Sequence, residues 1–221
     1  DDRSRLISHL RMSGKYYVID LKDLEARKNE SHDYVYFYLN DNKVAIYNDS
    51  RLFGSFEIVQ NNDQRTLYEI KNLGQLPLDV DVQALHSRLK RKNISIKSIL
   101  LDQSLVLGIG NIYADEALHQ AKIYPMTKCN QISLTKLKEL LQAAGNIMND
   151  SIALGGSSVH TYQSVNSASG SYQHKLKVYG RGKKVCLSCN RAEIKKVKLD
   201  FKQNGRGTSY CPKCQKEANE Q

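Results

Sequence analysis

Cys186-Leu-Ser-Cys189 and Cys211-Pro-Lys-Cys214 are separated by 21 residues, with Gly205-Arg-Gly207 lodged in the second half of the interval. Each CxxC pair sets two sulfurs on one tight knuckle, and two such pairs supply the four thiolates of a closed tetrahedral zinc site. The zinc is expected to be structural, because all four positions are filled and none is left for water. Ile194–Phe201 and Gln203–Tyr210 read as the two strands of a ribbon whose reversal presents Arg206 outward. Two disulfides are the other reading of the four cysteines. They require an oxidising compartment, and no signal-peptide pattern opens the sequence. Cys129, the remaining cysteine, reads as an ordinary thiol of a reducing cytoplasm.

The chain has 221 residues, enough for one large domain or two small ones. Lys and Arg number 33 against 23 Asp and Glu, a net charge of +10, which favours a polyanionic partner: nucleic acid first, an anionic membrane second. No apolar run reaches the roughly 18 residues a transmembrane helix needs.

Working outward from the ribbon, the periodicity changes twice. Residues 1–72 alternate as strands: Arg5–Met12, then a Ser13-Gly14 turn from which Lys15–Ile19 runs back as a second strand, then a Tyr34–Leu39 and Lys43–Tyr47 hairpin around Asn40-Asp-Asn42, then Phe56–Val59. Asp20–Ser31 is charged and reads as a loop. Residues 78–180 are helical, with helices over Val82–Leu89 and Ile96–Leu105 and a longer one N-capped by Ser133. The apolar stripe of that longer helix is Leu134, Leu137, Leu141, Ala144 and Met148. Gly156–Ser171 has no periodicity and reads as a flexible loop. Residues 181–221 form the ribbon. The fold class is α+β.

Three segments carry possible chemistry. In Leu107-Gly-Ile-Gly-Asn-Ile-Tyr-Ala-Asp-Glu116, the glycines allow a tight turn, Asn111 reads as the N-cap of the next helix, Asp115 and Glu116 fall early in that helix where its dipole favours anions, and the helix start offers N–H groups to a phosphate; an interhelical turn with no ligand fits equally well. Asn48-Asp-Ser-Arg-Leu-Phe-Gly54 places a cation and an aromatic at a strand end, suited to a DNA groove, yet Phe53 also reads as core and Arg51 as a solvated charge. Lys90-Arg-Lys92 is a short basic run. His9 and His32 are isolated, without metal-ligand spacing.

The order His9-Leu-Arg-Met-Ser-Gly14, His32-Asp33, Asp49-Ser-Arg-Leu-Phe-Gly54, Leu101-Asp-Gln103, Gly108-Ile-Gly-Asn-Ile-Tyr113 and a terminal CxxC ribbon with Gly-Arg-Gly-Thr208 resembles bacterial formamidopyrimidine-DNA glycosylase over essentially the whole chain. The resemblance implies part of an N-terminal β-sandwich, a helix–two-turn–helix domain and a C-terminal zinc ribbon. It implies excision of oxidised purines (8-oxoguanine, formamidopyrimidines) from double-stranded DNA and cleavage of the abasic site by β,δ-elimination. A base must leave the stack before its sugar is reached, and the void must be filled. By resemblance Met12, Arg51 and Phe53 fill it, Asn111 and Arg206 hold flanking phosphates, and His9, His32 and Lys92 are further DNA contacts. Arg206 also matches a proton donor in the elimination, although a guanidinium is a poor acid. Ser158, Thr161 and Tyr162, in the Gly156–Ser171 loop, match a lid over the everted base. Cys186, Cys189, Cys211 and Cys214 match the zinc ligands. The family is typically monomeric and, being bacterial, cytoplasmic and associated with the nucleoid.

One departure bears on chemistry. The family opens with a Pro-Glu-Leu-Pro-Glu type segment whose proline amine attacks C1′ and whose adjacent glutamate is the acid/base. This sequence opens with Asp1-Asp2-Arg3-Ser4, which the resemblance places in the middle of the sandwich. No residue here receives those roles, nor that of the family's β-turn lysine. The expectation is a chain that keeps DNA binding, with the N-terminal half missing, lost in nature or supplied separately, and with an exposed apolar sheet face prone to association. Three other readings stand beside this one: a non-catalytic zinc-ribbon DNA-binding module, an endonuclease VIII-type glycosylase for oxidised pyrimidines, and an RNA-binding ribbon. The long 156–171 loop and the Arg51-x-Phe53 pair weigh against the second. A lack of exposed stacking aromatics weighs against the third.

Overall fold

The computed structural model describes residues 3–28, 30–157 and 170–216. The chain divides into two compact units, Asp1–Thr66 with Ser151–His174 and Leu67–Asp150 with Lys175–Gln221. Strand-forming alternation builds the first. β1 (Arg5–His9) pairs antiparallel with β5 (Ser55–Val59), while β4 (Lys43–Asn48) lies between β2 (Lys15–Asp20) and β3 (Asp33–Leu39). Val44, Ile46 and Tyr47 make the central strand β4 the buried one. The two sheets meet through aromatic rings: Phe56 lies 4.9 Å from Tyr47, edge to face, and 5.9 Å from Phe37. Such pairs add about 0.5–1.5 kcal/mol each beyond the area they bury. Tyr16 links the layers again, its hydroxyl donating to Ser8 Oγ at 2.8 Å. This is the expected part of a β-sandwich.

Three sequence expectations fail in this unit. Lys15–Ile19 does not run back on β1, since β1 pairs with β5 and β2 with β4 in separate sheets. β1 stops at His9 rather than Met12, because Arg11 takes φ 54° and Gly14 N–H donates to Leu10 O at 3.0 Å, closing a turn. Met12 therefore leaves the strand and is exposed. Tyr34, Tyr36 and Tyr38 alternate along β3 and are all exposed, so an absence of displayed aromatics is no ground for setting RNA aside. Leu6 and Ile58, on the other sheet, are exposed as well.

The second unit holds α1 (Leu67–Lys71), α2 (Val82–Leu89), α3 (Ile96–Leu100), α4 (Asn111–Gln120) and the main length of α5 (Leu134–Ala153). Asp81 caps α2 by accepting from Ala84 N at 3.0 Å, and Ser133 caps α5 by accepting from Lys136 N at 3.2 Å. Leu85, Leu89, Ile99, Leu100, Leu118, Leu137 and Leu141 form the buried core, each contributing about 1.5–3 kcal/mol on burial. Leu134, expected in the stripe, is exposed at the first turn of α5. α3 ends at Leu100 rather than Leu105, because the Asp102 carboxylate takes both Ser104 N–H (3.0 Å) and Ser104 O–H (2.6 Å) and turns the chain. β6 (Lys195–Lys198) and β7 (Gly207–Tyr210) form the ribbon; positive φ at Asp200 and Phe201 ends β6 earlier than expected. No helix among the described residues is long and apolar enough to cross a membrane.

Candidate nucleic-acid interface and metal centre

In the first unit, Met12, Arg51 and Phe53 come together. The Arg51 guanidinium lies 4.6 Å from the Phe53 ring centroid, and its Nη1 is 3.6 Å from Met12 Sδ. Met12 and Phe53 are 65% and 55% exposed, so this group is displayed, and the reading of Phe53 as core fails. A buried carboxylate shapes the display. Asp49 accepts from Ser13 Oγ, from Tyr47 Oη at 2.8 Å, from Arg51 N at 3.1 Å and from Gly54 N at 2.9 Å. These bonds tie the turn carrying Met12 to the loop carrying Arg51 and Phe53, where Leu52 takes φ 54°. Gly54 has no side chain to spare: a Cβ there would collide with the Tyr47 hydroxyl. Burial opposes ionisation of Asp49, yet the bonds from Ser13, Gly54, Tyr47 and Arg51 hold its carboxyl well below the usual carboxylate range.

His9 and His32 border this loop. His9 is exposed, and its Nδ1 accepts from Arg11 N at 3.0 Å. His32 takes φ 73° beside the β3 irregularity, and its carbonyl accepts from Asp49 N at 3.1 Å. Asp33, next along, is gripped by Arg27 Nε (2.8 Å) and Asn48 Nδ2 (2.7 Å).

In the second unit the structure brings Asn111 to the ribbon turn that carries Arg206. Asn111 is the first residue of α4, not its cap; that place belongs to Gly110, and the Asn111 side chain points away to donate Nδ2–H to Gly207 O at 3.0 Å. Gly108, at φ 86°, makes the tight turn, and Gln103 fixes it by accepting from Gly108 N at 2.8 Å and donating to Ile109 O at 3.0 Å. Gly110 is extended, a conformation open to any residue, and a Cβ there would meet nothing within 4 Å. What glycine leaves there is open space beside a first turn whose N–H groups have no acceptor within the helix. Arg206 is exposed at the head of β7.

Beneath this turn lies Lys97, with no solvent exposure. Its ammonium sits 2.6 Å from Asp115 Oδ1, 3.1 Å from Gly207 O and 3.0 Å from Thr208 Oγ1. Asp115 Oδ2 accepts from Ser209 N at 2.8 Å. Burial dominates both titrations, pushing Lys97 down and Asp115 up to about 6 in spite of their pairing. One turn of β7 is thus fixed from below by α3 and α4. Glu116 extends the grip, accepting from the N–H groups of Lys177, Val178 and Tyr179 at 2.8–2.9 Å. Lys92 is half-buried in a basic recess with Ser87, Arg88 and Arg91, and is not joined to the Asn111–Arg206 group by any described contact; Lys90 donates to Asn130 O at 3.0 Å. Ser158, Thr161 and Tyr162 lie outside the described residues.

The four ribbon cysteines converge. Their sulfurs all lie within 4.8 Å of one another, with Cys186–Cys214 at 3.9 Å and Cys189–Cys211 at 3.7 Å. A tetrahedron with Zn–S bonds of about 2.3 Å has edges of about 3.8 Å, so the set fits such an ion. None of the four is in a disulfide. Cys189 is drawn down to about 7 by the Arg191 N–H, while burial pushes Cys211 and Cys214 up. Gathering all four as thiolates calls for a cation. Cys129 is buried apart, its thiol donating to Lys92 O at 3.1 Å.

Asp49, Lys97, Asp115 and Glu116 carry much of this geometry; sequence reads Asp115 and Glu116 only as anions favoured by the helix dipole, and the structure gives them buried partners instead. The legible trace was a lysine inside the apolar stretch Ile96–Leu100 and two adjacent acids between Ala114 and Ala117.

Comparison with known proteins finds one family along most of the chain. The family model of the formamidopyrimidine-DNA glycosylase N-terminal domain matches residues 1–56, and that of the formamidopyrimidine-DNA glycosylase H2TH domain matches residues 73–163. The formamidopyrimidine-DNA glycosylase of Mycoplasmopsis pulmonis is 42% identical over 212 residues, covering 96% of this chain and 73% of that protein. That of Listeria monocytogenes serotype 4b is 40% identical, covering 96% and 75%. Among solved structures, the Lactococcus lactis Fpg complex with abasic-site DNA superposes with a TM-score of 0.84 at 38% identity, covering 97% of this chain and 76% of that one. MutM in complex with carbocyclic 8-oxo-G DNA gives 0.84 at 36% identity, covering 98% and 76%. With some 40% of residues shared across both matched domains, and with the same helical and sheet framework, this chain belongs to the formamidopyrimidine-DNA glycosylase family.

Proposed function

We propose that the protein serves base-excision repair, holding double-stranded DNA at an oxidised purine, 8-oxoguanine or a formamidopyrimidine, for glycosylase and β,δ-elimination chemistry. The observation that carries this reading is the displayed Met12–Arg51–Phe53 group on its Asp49 anchor. Two apolar side chains and a cation, already assembled, suit the void left by an everted base: Met12 and Phe53 replace stacking, and Arg51 faces the orphaned base. Asn111 and Arg206 are assigned to flanking phosphates, where a helix start and an exposed guanidinium give charge-assisted contacts. His9, His32 and Lys92 are assigned further backbone contacts, and Ser158, Thr161 and Tyr162 the capping of the lesion. A proton-donor role for Arg206 in the elimination rests on resemblance alone, and its phosphate role is the one its chemistry favours. Zinc is the metal the four thiolates suit, its part being to hold the ribbon's shape; the four cysteines leave no position for a substrate. The relatives solved with abasic-site and 8-oxo-G DNA support this substrate class.

No residue of the 221 matches the family's Pro-Glu opening, and none is assigned the nucleophile. The test is gel-shift binding to a duplex with 8-oxoguanine opposite cytosine, run beside borohydride trapping. Binding that prefers the lesion and weakens steeply with salt is the expected result. Equal, salt-insensitive binding to undamaged duplex overturns the reading. A trapped adduct places a Schiff-base amine among these residues.

A further inference from the structure

Four thiolates around one divalent zinc carry a net charge of −2, and here two of the sulfurs belong to residues with no solvent exposure. Such charge needs donors aimed at the sulfurs. The knuckles supply some themselves: Cys214 N–H lies 3.4 Å from Cys211 Sγ, and the Arg191 N–H serves Cys189. Cys186 meets a side chain from outside the ribbon. His119, near the C-terminal end of α4 and only 4% exposed, places Nε2 3.7 Å from Cys186 Sγ. Its other nitrogen, Nδ1, is buried and has no hydrogen-bond partner among the described residues.

We propose that His119 donates Nε2–H to the Cys186 thiolate and so retains the metal, acting as a positioning residue behind the ligand shell. A metal-bound thiolate accepts hydrogen bonds and donates none. A neutral imidazole has one N–H and one bare nitrogen. With the proton on Nδ1, an N–H would be buried without an acceptor and the Nε2 lone pair would face sulfur. With the proton on Nε2, one bond forms and only a bare acceptor is left unmatched. The second arrangement is the one this surrounding selects. The bond draws electron density from Sγ, which lowers its reactivity toward electrophiles, and it fixes the Cys186 knuckle to α4.

This inference rests on the zinc reading, and the experiment separates the two. Zinc content of the purified full chain is measured first by mass spectrometry; a chain without zinc sinks the metal reading and this proposal with it. Zinc release during a hydrogen peroxide challenge is then followed with a chromophoric chelator for the wild type, His119→Phe and His119→Gln. The phenylalanine fills the space without a donor, and the glutamine restores one. His119→Phe is expected to bind zinc but release it about 10- to 100-fold faster, with His119→Gln between it and wild type. Release from a zinc-loaded His119→Phe chain at the wild-type rate overturns the proposal. A measurement without a variant guards against misfolding: in wild-type chain reconstituted with cadmium-113, nitrogen-15 spectra should show the Nε2–H form of His119 coupled to the metal. A protonated Nδ1 with bare Nε2 overturns it equally.

Discussion

An ammonium group enclosed away from water persists only among acceptors, and Lys97 has three: Asp115, the Gly207 carbonyl and the Thr208 hydroxyl. Lys97→Met leaves the Asp115 carboxylate buried without its cation and is expected to cost about 3–5 kcal/mol in urea unfolding. A paired Lys97→Met, Asp115→Leu chain should regain most of that loss, since apolar groups of similar volume replace a buried ion pair at little cost. If the double variant is as weak as the single, the ion pair is not the source of the stability. Arg206 is the opposite case, exposed and bonded through its backbone carbonyl to Leu199 N. Its replacement by alanine should leave folding unchanged while weakening DNA binding by about 1.5–3 kcal/mol in a gel shift. Sequence made Arg206 readable because glycines flank it. Lys97 was opaque, because its partners stand 18 and about 110 positions away and only the fold brings them together.

The loop from Asp49 to Gly54 shows what one carboxylate does for an element. The folded protein holds the Asp49 carboxyl below its unfolded value of about 3.9, so the stabilisation is full above that value and is lost as pH falls through the lower, folded one. Tyrosine circular dichroism of this unit should therefore be flat from pH 8 to 5 and decline only in stronger acid. A transition between pH 7 and 5 would locate the controlling group elsewhere. Asp49→Asn puts an amide N–H₂ where an acceptor is needed, and should lower the thermal stability of the loop by about 1–3 kcal/mol. At this scale the sequence was mostly legible. Alternation located the paired strands, and Ser133 marked the start of α5. Its failures had local causes: the turn closed between Leu10 and Gly14 ends β1 where alternation alone runs on to Met12 and sends the next strand to another sheet, and Asn111 looks like a cap until Gly207 offers its side chain another partner.

Across the chain, a charge of +10 and an exposed arginine at the ribbon turn predict strongly salt-dependent DNA affinity. Each phosphate neutralised contributes about −0.9 to the slope of log K against log salt, so Arg206→Ala should flatten that slope by about 0.9. Cys211→Ser should release the metal and depress DNA affinity with it; unchanged zinc content and binding would remove the metal from the account. Exposed Leu6, Ile58 and Tyr38 predict concentration-dependent association in sedimentation, which a monomer at high concentration would contradict. Periodicity and cysteine spacing separated strands, helices and ribbon along the chain, whereas the dependence of the helices on the ribbon was not readable. Asn111, Asp115, Glu116 and His119 lie along α4 and reach, in turn, Gly207, Ser209, the backbone of residues 177–179 and Cys186. A nonsense codon anywhere from Lys177 to Gly207 therefore does more than delete a terminal finger. It removes at least two of the four partners that α4 binds, so such alleles should behave as null through degradation of the whole polypeptide rather than as stable proteins with weakened DNA contact.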